Sequence, residues 1–299
     1  MSKTSIKASR SDKIYNATVV VLLAIIMLIV AYPLWFVVIA SISDPVATQT
    51  GKIVFWPQGI TSEGYKLVLE YPWIWVGFRN SVIYTVLGTS LNLILTLAGG
   101  YGLSYKDLPG RGKIMGYLSF TMFFGGGMVP TYMVMRSLGL VNKPIIMVLM
   151  GAVSVWNLIL ARNYFESNIP VELREAAQID GCSDFGFFIK IALPLSTAII
   201  AVLTIYYATG HWNGYMNAII YLNKKEQQTL QVFLRELLIT ETYDDSSGMV
   251  FDMDSTERTQ MVAAMKYCVI IISSLPMILL YPFMQRYFVK GIMVGAIKG

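Results

Sequence analysis

The run Glu175-Ala176-Ala177-Gln178-Ile179-Asp180-Gly181 is followed, after nine residues, by Ile191-Ala192-Leu193-Pro194. Residue type and spacing here fit mechanical rather than bond-making chemistry. Pro170 precedes Val171-Glu172-Leu173-Arg174, and acids near the amino end of such a run suit a helix start. Ala176 and Ala177 leave a smooth, small-residue face on which another protein can sit closely. Gly181 follows Asp180 and is free to take a left-handed conformation, which ends a helix. A second short helix is predicted from Ser183 onward, and Pro194 tilts or kinks the span that it opens. Two short helices meeting at a glycine make a rigid knob, which transmits force where a floppy tether does not.

Bond-making chemistry finds little elsewhere. His211 is the only histidine and cannot build a metal site or a nucleophilic triad alone. Cys182 and Cys268 are far apart, follow no metal spacing and read as inert small apolar residues. Gly110-Arg111-Gly112-Lys113 lacks the spacing and the hydroxyl residue of a phosphate-binding loop, so ATP hydrolysis is not expected of this chain. No metal and no cofactor are expected on it. No paired carboxylates fall in its apolar stretches, which argues against ion-coupled secondary transport.

The elements that must carry the knob are read from hydropathy. Of the 299 residues, 55% are hydrophobic and only 14% charged; mean hydropathy is +0.58. A soluble domain carries about 25% charged residues. A bilayer crossing needs about 20 apolar residues. Six stretches qualify, near 14–42, 80–104, 113–136, 144–165, 187–209 and 262–289. The expected fold is therefore all-α, a polytopic membrane protein with six transmembrane helices and a helix pair in the 166–190 loop. The first apolar run, Val19 to Ala40, is too long for a signal peptide and reads as a retained anchor. The net charge of +5 suits loops beside anionic lipid; no basic run exceeds two residues, so no nucleic-acid partner is expected.

Lysine and arginine set the orientation. The amino-terminal tail (Lys3, Lys7, Arg10, Lys13), the segment after the second span (Lys106, Arg111, Lys113), the 166–190 region and the carboxyl end hold the larger share. Those segments are expected in the cytoplasm, with both termini. Residues 44–79 and 210–261 are then external loops. The first carries Trp56, Tyr71, Trp73 and Trp75, and the second an acidic patch at Asp244, Asp245, Asp252 and Asp254. Both read as docking surface for an external protein.

Within the spans, polar and aromatic side chains are the candidates for contact with a small molecule, through neutral hydrogen bonds and ring stacking. Asn92, Thr96, Tyr132, Asn157, Tyr206 and Tyr207 have that chemistry. Each equally fits an interhelical hydrogen bond or an interfacial aromatic belt. Gly125-Gly126-Gly127, followed by Pro130, allows either close helix approach or a helix break beside those candidates.

The 175–194 pattern resembles the coupling motif of ABC importer permeases: E-A-A, three residues, G, nine residues, I, one residue, L-P. Every position is matched. The six spans, Trp212-Asn213 and the carboxyl end Lys290-Gly291-Ile292-Met293-Val294-Gly295-Ala296-Ile297-Lys298-Gly299 are similar to the sugar-importer (maltose-type) branch. They are similar in particular to the lipoprotein-associated oligosaccharide permeases of Gram-positive bacteria. The resemblance implies a single transmembrane permease domain over residues 1–299, with 14–42 as a peripheral first span and 80–289 as the core. It implies a bacterial cell membrane and a sugar or oligosaccharide cargo. The implied partners are a homologous second permease, an ATPase subunit dimer carrying ATP and Mg, and an extracellular solute-binding lipoprotein. Glu175, Ala176, Ala177, Asp180, Gly181, Leu193 and Pro194 would then couple to the ATPase, with Glu175 meeting a basic residue. The alternatives are the same machine with an amino acid or anion as cargo, and a secondary transporter.

Overall fold

The computed structural model describes residues 9–240 and 255–296, and the described residues are helical with no strand among them. The main helices are α1 (Arg10–Ser41), α2 (Pro72–Ser104), α3 (Arg111–Phe123), α4 (Met128–Ser137), α5 (Val155–Asn168), α6 (Val171–Ile179), α7 (Asp184–Phe187), α8 (Thr197–Trp212) and α9 (Ser255–Ala296). By internal contacts the chain divides into two compact units, residues 1–70 with 237–272, and residues 71–236 with 273–299.

In the first unit, α1 begins where the Ser9 N–H donates to Asp12 Oδ2 at 3.0 Å. Almost none of its apolar stretch is buried within the chain. Its far end is held: Ile39, Ala47 and Ile53 form a small core with Phe36 beside it. Tyr65 donates its hydroxyl to Ser41 Oγ at 2.9 Å, and Cys268 Sγ donates to the Ser41 carbonyl at 3.2 Å. Gly64 lies where a side chain would overlap the Ala264 carbonyl, so only glycine permits that approach.

In the second unit, α2 starts on Pro72, whose missing N–H costs nothing at a helix start. Its buried face is rich in small and polar residues, Asn80, Ser81, Thr85, Gly88, Thr89, Asn92, Thr96 and Gly100, with larger ones such as Tyr84, Leu97 and Tyr101 among them. Its exposed face is apolar, with Val82, Ile83, Val86, Leu87, Ile94 and Leu95. This inverts the pattern of a soluble helix. It is what a helix needs when its surroundings are apolar and its neighbours are reached by small residues and hydrogen bonds. At Gly100 a Cβ would lie 2.7 Å from the Ala161 Cβ, so α2 and α5 meet backbone to backbone.

Among the described residues, three helices are long and apolar enough to cross a bilayer unbroken: α1, α2 and Val262–Gln285 within α9. The other three expected spans are interrupted. Region 113–136 is α3 and α4, bent by 113° at the glycines. A Cβ at Gly125 or Gly127 would meet nothing within 4 Å, and Gly127 has φ +83°. These glycines therefore break the helix rather than serve close packing. Region 144–165 is one turn (Ile146–Leu149), a break at Gly151 (φ +70°), and the 14 residues of α5. Region 187–209 is bent by 82° at Ser196, just past Pro194, whose ring removes a helical N–H.

The expected loop 210–261 is in part a packed structure. Tyr215–Tyr221 and Leu230–Thr240 are helices, and Ala218, Tyr221, Leu222, Leu230 and Phe233 are buried. The face of α2 holds this segment: Asn80 Nδ2 donates to the Glu226 and Gln228 carbonyls at 2.8 and 3.0 Å, and Tyr84 Oη to the Gln227 carbonyl at 3.0 Å. The acidic positions Asp244, Asp245, Asp252 and Asp254 lie outside the described residues.

Candidate functional site

The knob forms as its residue types dictate. α6 starts after Pro170, carries Glu172 in its first turn, and ends at Asp180. Gly181 has φ +78°. The Cys182 N–H donates to the Ala177 carbonyl at 2.9 Å, and the Gly181 N–H to the Gln178 carbonyl at 3.0 Å. This pair of bonds closes a helix on a left-handed residue, a Schellman motif, and satisfies carbonyls that would otherwise be orphaned. Ser183 then caps α7, its Oγ accepting from the Gly186 N–H at 3.1 Å. After α7 a wide π turn, Phe188–Ala192, leads through Leu193–Leu195 to the bend before α8.

One side of this turn is anchored in the second unit. Ala177, Phe187, Phe188 and Ala192 are buried in a cluster with Tyr101, Ala161 and Phe165. The Tyr101 ring lies 5.5 Å from Phe165 and 4.8 Å from Phe188. Arg174 is held on two sides, with its guanidinium 3.8 Å from the Tyr105 ring centroid and Nε 3.8 Å from Asp184 Oδ1. Below it, Glu166 Oε2 accepts from Arg111 at 2.6 Å and from Arg162 at 2.8 Å. Arg111 also donates Nε to the Leu103 carbonyl at 2.9 Å. One carboxylate thus joins α3 to α5, and one guanidinium joins both to the end of α2.

The other side is exposed. Glu175, Ala176, Asp180 and Gly181 face outward. Ala177 does not: at 7% exposure it belongs to the chain's own core, so of the two alanines only Ala176 lies on the exposed side. Leu193 packs on the same inner cluster and Pro194 sits exposed at the bend. Sequence reasoning passed over two residues here. Ile179 is 86% exposed and Phe185 75% exposed, on either side of Gly181. Large apolar side chains held in the open on a rigid turn are the usual centre of a protein contact.

A family model described as "Binding-protein-dependent transport system inner membrane component" matches residues 6–294. The chain belongs to this family. It is 37% identical over 290 residues to the polygalacturonan/rhamnogalacturonan transport system permease protein YtcP of Bacillus subtilis (strain 168), covering 96% of this chain and 99% of that one. It is 32% identical over 291 residues to protein LplC of the same strain, with 97% of each covered. Its fold matches a chain in the crystal structure of a bacterial ABC transporter involved in the import of the acidic polysaccharide alginate. There the TM-score is 0.84 at 31% identity, over 95% of this chain and all of that one.

In this inner membrane transport component the six polar candidates separate. Asn92, Thr96 and Tyr207 come together but spend their polar atoms on the protein. Asn92 is fully buried; its Nδ2 donates to the Gly151 and Ala152 carbonyls, both at 2.8 Å, and its Oδ1 lies 2.7 Å from His211 Nε2. The two amide bonds fix the flip of Asn92, so Oδ1 accepts and His211 Nε2 carries the proton. Thr96 Oγ1 and Tyr207 Oη are 2.6 Å apart, and Tyr207 Oη accepts from the Ser154 N–H at 3.3 Å. This polar cluster satisfies the backbone freed where the fourth expected span breaks, as an apolar environment requires. Asn157 is buried on α5 beside its cap, Ser154. Tyr132 stacks on Tyr221 with centroids 5.9 Å apart, and Tyr206 is 53% exposed.

Proposed function

We propose that the chain is one permease of a heterodimeric pair in an ATP-driven, binding-protein-dependent importer of the bacterial cell membrane, with a sugar or oligosaccharide as cargo. The observation that carries the mechanical part is the knob. Its inner side is locked by the Ala177–Cys182 bond and the Tyr101–Phe165–Phe188 cluster, while Ile179 and Phe185 stand exposed beside Gly181. Such a surface fits a groove on a separate ATPase subunit, where ATP and Mg would be held. Ile179 and Phe185 supply the apolar contact, Glu175 meets a basic residue, and Ala176 and Gly181 allow close approach. Leu193 and Pro194, at the 82° bend, pass the motion into α8.

The cargo reading rests on likeness to proteins named for polygalacturonan, rhamnogalacturonan and alginate. Tyr206, exposed on α8, Tyr132 and Asn157 are the candidate cargo contacts that remain once Asn92, Thr96 and Tyr207 are assigned to the scaffold. With one pass for each of the three interrupted regions the chain makes six crossings and has both termini on one side, and the lysine and arginine distribution supports the cytoplasm as that side. The glycine break between α3 and α4 then lies beside the cargo path as a gate.

The test is uptake by proteoliposomes holding the permease pair and its ATPase, with purified binding protein outside and ATP inside. Labelled oligogalacturonide or neutral oligosaccharide is expected to accumulate only with ATP and binding protein together. Uptake driven by an ion gradient without ATP would overturn the importer reading; ATP-dependent uptake of amino acids alone would overturn the cargo.

A further inference from the structure

The segment Ile53–Ile60, between α1 and α2, reads in the sequence as part of a surface for an external protein. Its structure points elsewhere. It has no regular secondary structure, yet it is fastened to the end of α1 at several points. The Asp44 N–H donates to the Gln58 carbonyl at 2.9 Å and the Thr61 N–H to the Ile42 carbonyl at 3.0 Å. Gln58 donates its N–H to Ser43 Oγ at 3.3 Å and its side-chain amide to the Lys52 carbonyl at 3.1 Å. Ile53 is 4% exposed and plugs the small core formed with Ile39 and Ala47.

Two further bonds reach back along α1. Tyr32 Oη donates to the Val54 carbonyl at 3.2 Å, and Trp35 Nε1 to the Phe55 carbonyl at 2.9 Å. The depth of these donors is set by helix geometry. Apolar sequence begins at Val19, and Trp35 lies 16 residues further on, about 24 Å at 1.5 Å per residue. The hydrocarbon layer is about 30 Å thick. Tyr32, 13 residues on at about 20 Å, and Trp35 thus stand about 6–10 Å inside the far boundary, each with an apolar ring in the layer and a polar atom to satisfy. Irregular backbone at that depth must have its carbonyls satisfied by protein, and these two side chains do it.

The side chains between the fastenings face away from the protein. Val54, Phe55, Trp56 and Ile60 are 49%, 62%, 75% and 79% exposed, and they continue the exposed apolar surface of α1. Between strap and helix runs an open groove of about 690 Å³, lined by Leu28, Ile29, Ala31, Tyr32, Trp35 and Phe55. A water-facing loop would leave this groove and these four side chains wet.

We propose that residues 53–60 are a membrane-interface anchor. Val54, Phe55, Trp56 and Ile60 insert among the phospholipids at the end of α1 remote from Arg10, and an acyl chain of the bilayer lies in the groove. The anchor fixes the depth of α1, which otherwise has little contact with its own chain. The inference needs only that α1 crosses the bilayer, so it stands apart from the cargo and ATPase readings.

The experiment is spin-label accessibility on the complete transporter in phospholipid nanodiscs. Trp56→Cys carries the label, with Cys182→Ser to remove background labelling; Ile60→Cys gives the same reading should Trp56→Cys fail to assemble. Collision with oxygen, which partitions into lipid, is expected to exceed collision with a water-soluble nickel chelate several-fold. A preference for the nickel chelate would overturn the proposal, since the loop would then lie in water. Low accessibility to both reagents would also overturn it, since a protein partner would cover the loop. With Tyr32→Phe and Trp35→Phe together, the oxygen preference is expected to fall toward the aqueous value, because the freed carbonyls leave the apolar layer. A preference that stays intact would overturn the assignment of the strap to Tyr32 and Trp35.

Discussion

The Arg174 guanidinium lies flat on the Tyr105 ring, 3.8 Å from its centroid, and so ties the knob helix α6 to the residue immediately after α2. Tyr105 in turn shares a hydroxyl contact with Tyr101, which packs on Phe165 and Phe188. A push on α6 therefore reaches α2 and α5 through side chains already in contact. A cation over a ring is worth about 0.5–1 kcal/mol at exposed sites and about 2 when desolvated. Arg174→Ala is expected to weaken the knob's seat by about 1 kcal/mol. More ATP should be hydrolysed per cargo molecule moved, with the amount of assembled complex unchanged. Arg174→Lys, which keeps the charge but not the planar stacking, is expected to fall between. An unchanged hydrolysis-to-transport ratio for Arg174→Ala would remove this contact from the coupling path.

Glu166 accepts from Arg111 and Arg162 at 2.6 and 2.8 Å, with all three side chains 17–25% exposed. Glu166→Gln leaves two guanidinium groups facing each other without a counter-charge. Hydrogen bonds to charged groups contribute about 1.5–3 kcal/mol, and a loss in that range is expected in thermal unfolding of the purified subunit pair. Glu166→Arg with Arg111→Glu restores one pair and is expected to recover part of it. Arg111→Glu alone should be the worst, because it also loses the Nε bond to Leu103 and opposes Glu166. Equal melting for the single and double reversals would show that the pair does not hold α3 to α5.

Gly88 is seated directly under the His211 ring, and any Cβ there would overlap it. Gly88→Ala is expected to lower the amount of folded protein in the membrane. His211→Ala alone costs about 1–3 kcal/mol, because it strips the partner from the buried Asn92 Oδ1. In the His211→Ala background, Gly88→Ala should add almost nothing, since the clash has gone. Residues in contact are where additivity fails, and a strictly additive pair in thermal unfolding would contradict this packing.

The features readable in the sequence and those hidden in it divide along physical lines. The knob was legible because a left-handed closure demands glycine at one position and leaves the spacing around it fixed. The polarity of Asn92, Thr96 and Tyr207 was legible, but not their use. A neutral polar group that meets a sugar hydroxyl is the same group that meets a backbone carbonyl, and only the position of Gly151 and Ala152 decides. Ile179 and Phe185 were missed because an apolar residue in a mixed segment looks the same whether it faces in or out. The helices at 215–221 and 230–240 were hidden by Lys224-Lys225-Glu226-Gln227-Gln228. That polar run reads as open loop until Asn80 and Tyr84 are seen gripping its carbonyls.

Gly181 separates the fold from the contact it presents. Its φ of +78° costs an L-residue about 1–2 kcal/mol, yet a Cβ there would meet nothing within 4 Å of this chain. The protein itself should therefore absorb a substitution. Gly181→Ala is expected to insert normally and lose only that strain energy. Gly181→Val carries similar strain but projects a branched side chain between Ile179 and Phe185, into the space proposed for the ATPase wall. It should leave membrane levels normal, weaken ATPase retention on purification, and depress transport per complex more than Gly181→Ala does. Glu175→Lys, reversing an exposed charge on the same turn, should weaken retention without touching the Ala177–Cys182 closure. The measurement is ATPase subunits retained per permease pair, together with transport and cargo-stimulated hydrolysis per assembled complex. Normal retention and normal transport in both Gly181→Val and Glu175→Lys would mean that the ATPase docks elsewhere, and the exposed pair Ile179 and Phe185 would need another partner.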